Sequence, residues 1–432
     1  MVKEVNFKVS KEIEELSNEI FEFNKMFGDY SRLTYNPYAY ELILKEITNV
    51  KEKAITLEKD SSSKNEFDKL VIKHILSCIN TQEMFADYFS NPKTKYTIKE
   101  LIDKINGEGT YDYVENTVKE YPFKEQWDRA HSTKHIRLNV VRNDTPEARG
   151  MIESMIPNFK QEMLTLGKQL GFIPENYDFE FILLPPFGNP RSNFRIEVNR
   201  LELNPLSFIC LKEGDSYRIQ PAHAYLETAH ELLGHGGHNQ FSLRLPKCLH
   251  LGGMNIANLS SKAVAEGVAL DRESWGLEHV KKIKESIKLD DNELNAVLIN
   301  HKIKVAESTW YPFYTILKER ELIEKEEVNG EDKGFNVQKY MEQKGFPYYF
   351  YRDTRWQSDM HITQAVMELG YIAGVRLVNK VREKIKKEFG NEFVNKEQVL
   401  INKALAMGNW SCEVYEEFVI WYLKEVVGSG SK

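Results

Sequence analysis

The chain has 432 residues, 41% hydrophobic and 28% charged, a composition ordinary for a globular protein with a full core. Its 58 basic and 65 acidic residues are dispersed and leave a net charge of −7, which argues against a nucleic-acid partner, because that requires a concentrated basic face. No stretch stays apolar for the ~18 residues of a membrane span.

The opening MVKEVNFKVSKEIEELSNEIF is amphipathic and acidic and lacks the apolar segment of a secretory signal, so a cytoplasmic location is expected. Cys78, Cys210, Cys248 and Cys412 are far apart and form no CxxC, consistent with reduced core thiols. Residues 1–120 read as a mostly helical region, in which KEIEELSNEIFEFNKMF and FDKLVIKHILSCINTQEMFADYF place apolar residues at i, i+3, i+4 and i+7. A polar EKDSSSKNEFD loop separates those two helices, and NPKTKYTIKELIDKI predicts a turn leading into another. Residues 121–432 form the second region, within one continuous compact unit. Thr145 is the predicted N-cap and Gly171 the predicted stop of the helix TPEARGMIESMIPNFKQEMLTLGKQLGF.

The period then shifts from helical to alternating. YDFEFILLPP, NFRIEVNRLELNP and SYRIQP read as strands, so a small antiparallel sheet is expected just before residue 229. Beyond it SSKAVAEGVALDRESWGLE, LNAVLINHKIKVAESTWYPFYTILKER and GYIAGVRLVNKVREKIKKEF return to the helical period. The expected fold is mainly α, a helical zincin-like architecture with a minor sheet ahead of its metal-binding helix.

AHELLGHGGHNQ, residues 229–240, carries the chemistry. In the zincin pattern H-E-x-x-H two histidines four apart share a helix face and grip one ion. Here His230 and His235 are five apart, and a one-residue π-type bulge would restore the shared face. Gly234, Gly236 and Gly237 make such a distortion cheap, because glycine tolerates unusual backbone angles. Glu266, in AVAEGVALDRE on the next helical segment, is the candidate third ligand; two histidines, a glutamate and an open position form the ligand set of catalytic zinc in gluzincins.

HELLGH resembles the zinc motif of the dipeptidyl peptidase III family, although that family's third-ligand motif is absent. HELLGHGGH followed by EGVALDRE resembles more broadly the domain of unknown function 885 family, treated as metallopeptidase-like, with its HExxPGHH and EGWALYAE motifs. Glu266, Gly267, Ala269, Leu270 and Glu273 match, while Val268 and Asp271 replace a tryptophan and a tyrosine. QAVMELGYIAGVRLVNKVREKIKKEFG and ALAMGNWSCEVYEEFVIWYL look similar to the family's C-terminal region, so the likeness runs from about residue 125 to the end. The first motif lacks the proline and is one residue shorter between the ligands, which leaves the second ligand open between His235, the first choice, and His238.

The resemblance implies a zinc-dependent hydrolase acting on short peptides, with one Zn²⁺ per chain held by His230, His235 and Glu266. Glu231 is the expected general base. Tyr371, in the tyrosine motif, and His361 are the candidate donors to a developing oxyanion. RIEVNRLEL could pair with an extended peptide, Arg355, Arg376 or Arg382 could fork a substrate carboxylate, and the aromatic runs WYPFY and FPYYFYRDTRW could wall a cleft. The alternatives are a zinc hydrolase of a non-peptide amide, or a degenerate relative that binds metal or peptide without turnover.

Overall fold

The computed structural model describes residues 5–32, 37–60, 64–91, 93–120, 140–141, 145–185, 192–214, 216–251, 259–299, 301, 312–313, 316, 327–328, 331–332 and 362–428. The fold is mainly α. Helices α1 (Lys11–Arg32), α2 (Pro37–Lys59), α3 (Glu66–Ser90), α4 (Ile98–Asn106) and α5 (Thr110–Glu120) come first. Their starts are set locally. Asn65 accepts from the Asp68 amide, and Thr97 and Glu100 close a reciprocal capping box that satisfies two otherwise orphaned N–H groups.

β1 (Val140–Val141) precedes α6 (Pro146–Gln169), which Thr145 caps as expected and which ends where Gly171 turns left-handed at φ +70°. The strands β2 (Glu180–Leu183), β3 (Asn193–Arg195), β4 (Arg200–Leu203), β5 (Ile209–Glu213) and β6 (Ser216–Gln220) follow. They form two three-stranded sheets rather than one. The sheet β1-β5-β6 is antiparallel throughout; in the sheet β2-β4-β3, β2 runs parallel to β4 and β3 antiparallel to it. The all-antiparallel expectation fails for β2 because β3 intervenes in the chain and hairpins onto one edge of β4, so β2 meets the other edge after two reversals and runs parallel to it.

RIEVNRLEL is not one strand either. Ile196–Val198 is a 3₁₀ turn and Asn199 sits at φ 50°, a conformation asparagine tolerates, so the segment folds back into the β3–β4 hairpin.

α7 (Ala222–Thr228) leads into a π-helical segment, Ala229–Gly236, and then α8 (Gly237–Ser242). α9 (Lys262–Ile283) lies against it, and a helix over 291–299 and a short hairpin, β7 (Glu327–Val328) with β8 (Glu331–Asp332), come next. α10 (Ile362–Glu368), α11 (Gly370–Lys396, broken at Gly390 where φ is +84°), α12 (Gln398–Leu405) and α13 (Cys412–Val427) close the chain. Among the described residues no helix is long and apolar enough to cross a membrane.

Two hydrophobic clusters organise these elements. One joins α1–α5 to α11–α13, with Trp410, Tyr415 and Phe418 fully buried, so it draws on residues from both sides of residue 120. Phe313, from the WYPFY run, is buried in it beside Tyr111, as core rather than cleft wall. The other fills the space between α6, the sheets, α7 and the π-helix, around Phe159, Phe172, Phe194 and Phe208. α9 serves both, giving Val264 and Val268 to the first cluster and Val280 to the second.

Candidate metal centre

The site is built where the π-helix lies against α9. The two run antiparallel: a Cβ on Gly234 would fall 2.6 Å from the Ala269 Cα, and one on Gly276 would fall 2.7 Å from the Ala229 Cβ. This corrects the reason for the glycines. Gly236 and Gly237 have ordinary right-handed angles, φ −61° and −63°, so backbone freedom is not what they provide. They provide room instead: a Cβ on Gly236 would meet the Phe194 ring at 3.1 Å, and one on Gly237 would meet the Phe172 carbonyl oxygen at 2.1 Å. On its other side α9 meets α11 at Gly267 and Gly374, where a Cβ on Gly267 would fall 2.4 Å from the Gly374 oxygen.

The extra residue of the π turn is thereby accommodated and brings both imidazoles to one side. His230 Nε2 lies 3.6 Å and His235 Nε2 3.5 Å from Glu266 Oε2, and the three donor atoms all lie within 4.8 Å of one another. The rings stand 5.1 Å apart at 82°. Glu266 is 8% exposed, and its Oε2 is buried without a hydrogen bond. Separations of 3.5–3.6 Å are too long for the charged hydrogen bonds that a histidine–carboxylate pair would otherwise make. Donors bonded to one tetrahedral zinc at about 2.0–2.1 Å lie roughly 3.4 Å apart. The donor set and its spacing fit the ion.

Charge and burial act together here. Burial opposes ionisation of His230, but Glu266, Glu273 and Glu231 outweigh it and raise the imidazole to about 10. For Glu266 burial is likewise outweighed, by His235 and His230, and its carboxyl stays well below the usual range. Glu231, next to His230, is pushed upward chiefly by desolvation, while the imidazoles and the Phe194 amide pull the other way. That amide, on edge strand β3, donates to Glu231 Oε2 at 3.0 Å, so the carboxylate is held at the site and faces the strand.

Tyr371 joins the cluster: its ring lies nearly parallel to that of His230, 19° apart with centroids at 6.5 Å, and Lys262 Nζ stands 5.5 Å over its face while pairing with Glu368 at 3.2 Å. His238 does not join. It is completely buried, burial holds its imidazole down at about 3, and the cluster is formed with His235. His361 and Arg355 lie outside the described residues, as does the run FPYYFYRDTRW.

Two of the three arginines offered for a substrate carboxylate, Arg376 and Arg382, have other partners. Arg382 grips both oxygens of Asp271, at 3.0 and 2.9 Å, and also reaches Asn402. Arg376 donates to the Glu108 carbonyl at 2.8 Å and stacks over Tyr113, tying α11 to the α4–α5 turn. Their spacing along a basic helix could not show that Asp271, more than a hundred residues earlier, faces the same helix.

Two neighbours were not assigned from sequence. Glu273 Oε2 accepts from His230 Nδ1 at 3.1 Å, and its Oε1 accepts from His301 Nδ1 at 2.9 Å. For Glu273 a signal existed: it lies seven residues after Glu266, two turns on, which at about 100° per residue places both on one face of α9. His301 carried none.

Neither a protein-family model nor a curated protein matches the chain. Among solved structures it is similar to "The crystal structure of the putative lipoprotein from Colwellia psychrerythraea", with 14% identity and a TM-score of 0.44 over 95% of this chain and 74% of that one.

Proposed function

We propose that this protein is a zinc-dependent metallohydrolase, acting as a peptidase on short peptides. The observation that carries the reading is the convergence of His230 Nε2, His235 Nε2 and Glu266 Oε2, with that carboxylate oxygen buried and lacking a hydrogen bond. A structural site of closed coordination has no use for a fourth group such as Glu231 beside its ligands, and the chain keeps one.

When bound, zinc supplies an acidified water and polarisation of a carbonyl. The remaining work belongs to the protein. Glu231 accepts the proton released on attack and delivers it to the departing amine, a role suited to a carboxylate whose proton affinity burial has raised. The Phe194 amide keeps Glu231 turned toward β3. β3 is an edge strand, so an extended substrate can lie along it and meet the site, which supports a peptide over a compact amide. Tyr371, whose ring stacks on that of His230, would steady charge that develops on the attacked group.

Metal analysis and turnover test this together. About one zinc per chain, lost in His230→Ala, together with cleavage of a short-peptide library that disappears in Glu231→Gln while zinc remains, is the expected result. Zinc with turnover only of non-peptide amides would move the substrate class. Zinc without any turnover would leave a binding protein, and absence of zinc would end the reading.

A further inference from the structure

We infer that Glu273 and His301 are positioning residues that hold His230 in the one tautomer able to bind metal. The inference rests on the zinc reading above and extends it to two side chains that touch neither metal nor substrate.

His230 has one ring nitrogen toward Glu266 and the other toward Glu273, so two carboxylates of one helix face address opposite ends of one imidazole. A ligating histidine must offer a lone pair at one nitrogen and carry its proton on the other. Glu273, accepting at Nδ1, puts the proton there and leaves Nε2 free beside Glu266 and His235.

Glu273 is only 3% exposed, and a buried carboxylate is costly unless both oxygens are met by donors. His230 meets one oxygen and His301 the other. His301, a helical residue just beyond 291–299, belongs to neither the π-helix nor α9, so it braces the carboxylate from a third part of the chain. Removing that donor takes away one of the bonds that fix the orientation of the Glu273 carboxylate and so loosens its grip on Nδ1. Glu273 acts through His230, and His301 acts through Glu273.

The test uses the full chain stripped of metal, titrated with zinc against a chromophoric chelator, with thermal melting of each apo form as the control for folding. Glu273→Gln, which keeps the volume and removes the charge, should weaken zinc binding about 10–100-fold. His301→Ala should weaken it by a smaller factor, up to about tenfold, and His301→Gln, whose amide can still donate, should recover most of that loss. Nitrogen-15 imidazole spectra give a second readout. In the zinc-loaded wild type the His230 Nδ1–H should show the downfield shift of a hydrogen bond to a carboxylate, and Glu273→Ala should lose that shift.

Zinc binding within twofold of wild type in both Glu273→Gln and His301→Ala overturns the inference. Equal loss in His301→Gln and His301→Ala with unchanged apo melting also overturns it, because donation would then not be what matters. Should the alanine forms fail to fold, the two glutamine variants carry the comparison. A wild type that binds no zinc overturns the metal reading as well, which separates the two failures.

Discussion

His74 shows what becomes of a buried imidazole that no carboxylate or ion claims. Its Nδ1 accepts the Ser411 amide at 3.0 Å, its Nε2 donates to the Cys248 carbonyl at 3.3 Å, and burial holds it down at about 4. His230 is less enclosed, with its side chain 13% exposed, and sits at about 10 because carboxylates surround it. The contrast has a sign. A histidine whose folded value lies below the unfolded ~6.5 takes up a proton more readily when the chain unfolds. The stability it contributes is complete above pH ~6.5 and is lost as pH falls toward 4. Melting temperatures of the apo protein should fall through that window, and His74→Gln should show a shallower fall; parallel curves would show that His74 is not a source of the acid sensitivity.

At the scale of elements, the glycines of the metal segment are packing residues, and substitution separates packing from backbone freedom. Gly234→Ala forces a methyl against the Ala269 backbone and should cost about 1–3 kcal/mol by overpacking. Gly150→Ala, at an exposed position of α6 with nothing within 4 Å, should raise stability by roughly 0.5–1 kcal/mol through helix propensity. Chemical denaturation of the two variants reads both changes, and a neutral Gly234→Ala would contradict the close approach.

Elements with local signals were legible: the cap at Thr145, the stop at Gly171, the alternation of β2 and β6, and the π turn implied by two histidines one residue too far apart. What stayed hidden was long-range. Parallel pairing of β2 with β4, the αL asparagine that breaks RIEVNRLEL, the Asp271 partner of Arg382 and the reach of His301 to Glu273 all depend on which surfaces meet after folding. The convergence of His230, His235 and Glu266 was the exception: spacing put the two histidines on one π turn, and the likeness of EGVALDRE to a third-ligand motif pointed to Glu266.

In the whole molecule the triad spans a boundary between two bodies of packing. Its imidazoles ride on the segment that buries Ala229, Leu232 and Leu233 in the cluster around the sheets, while its carboxylate rides on α9 beside Val264 and Val268 of the helical cluster. An ion bound only by the folded chain stabilises it by mass action, about 2.7 kcal/mol at a hundred times Kd. Zinc should therefore raise the melting temperature by several degrees, and Glu266→Gln should abolish the rise without lowering the apo value as far; an unchanged melt in saturating zinc would tell against the triad as a ligand set.

The surplus residue of the π turn also bears on how the segment could change length. A π turn takes up one residue more than an α turn, so excising Gly234 would shorten the histidine spacing to the ordinary four and let the turn close as α-helix. Gly236 and Gly237 would then keep their seats against Phe194 and Phe172. The longer and the shorter spelling are thus one deletion apart, and α8 need not be rewritten to pass between them.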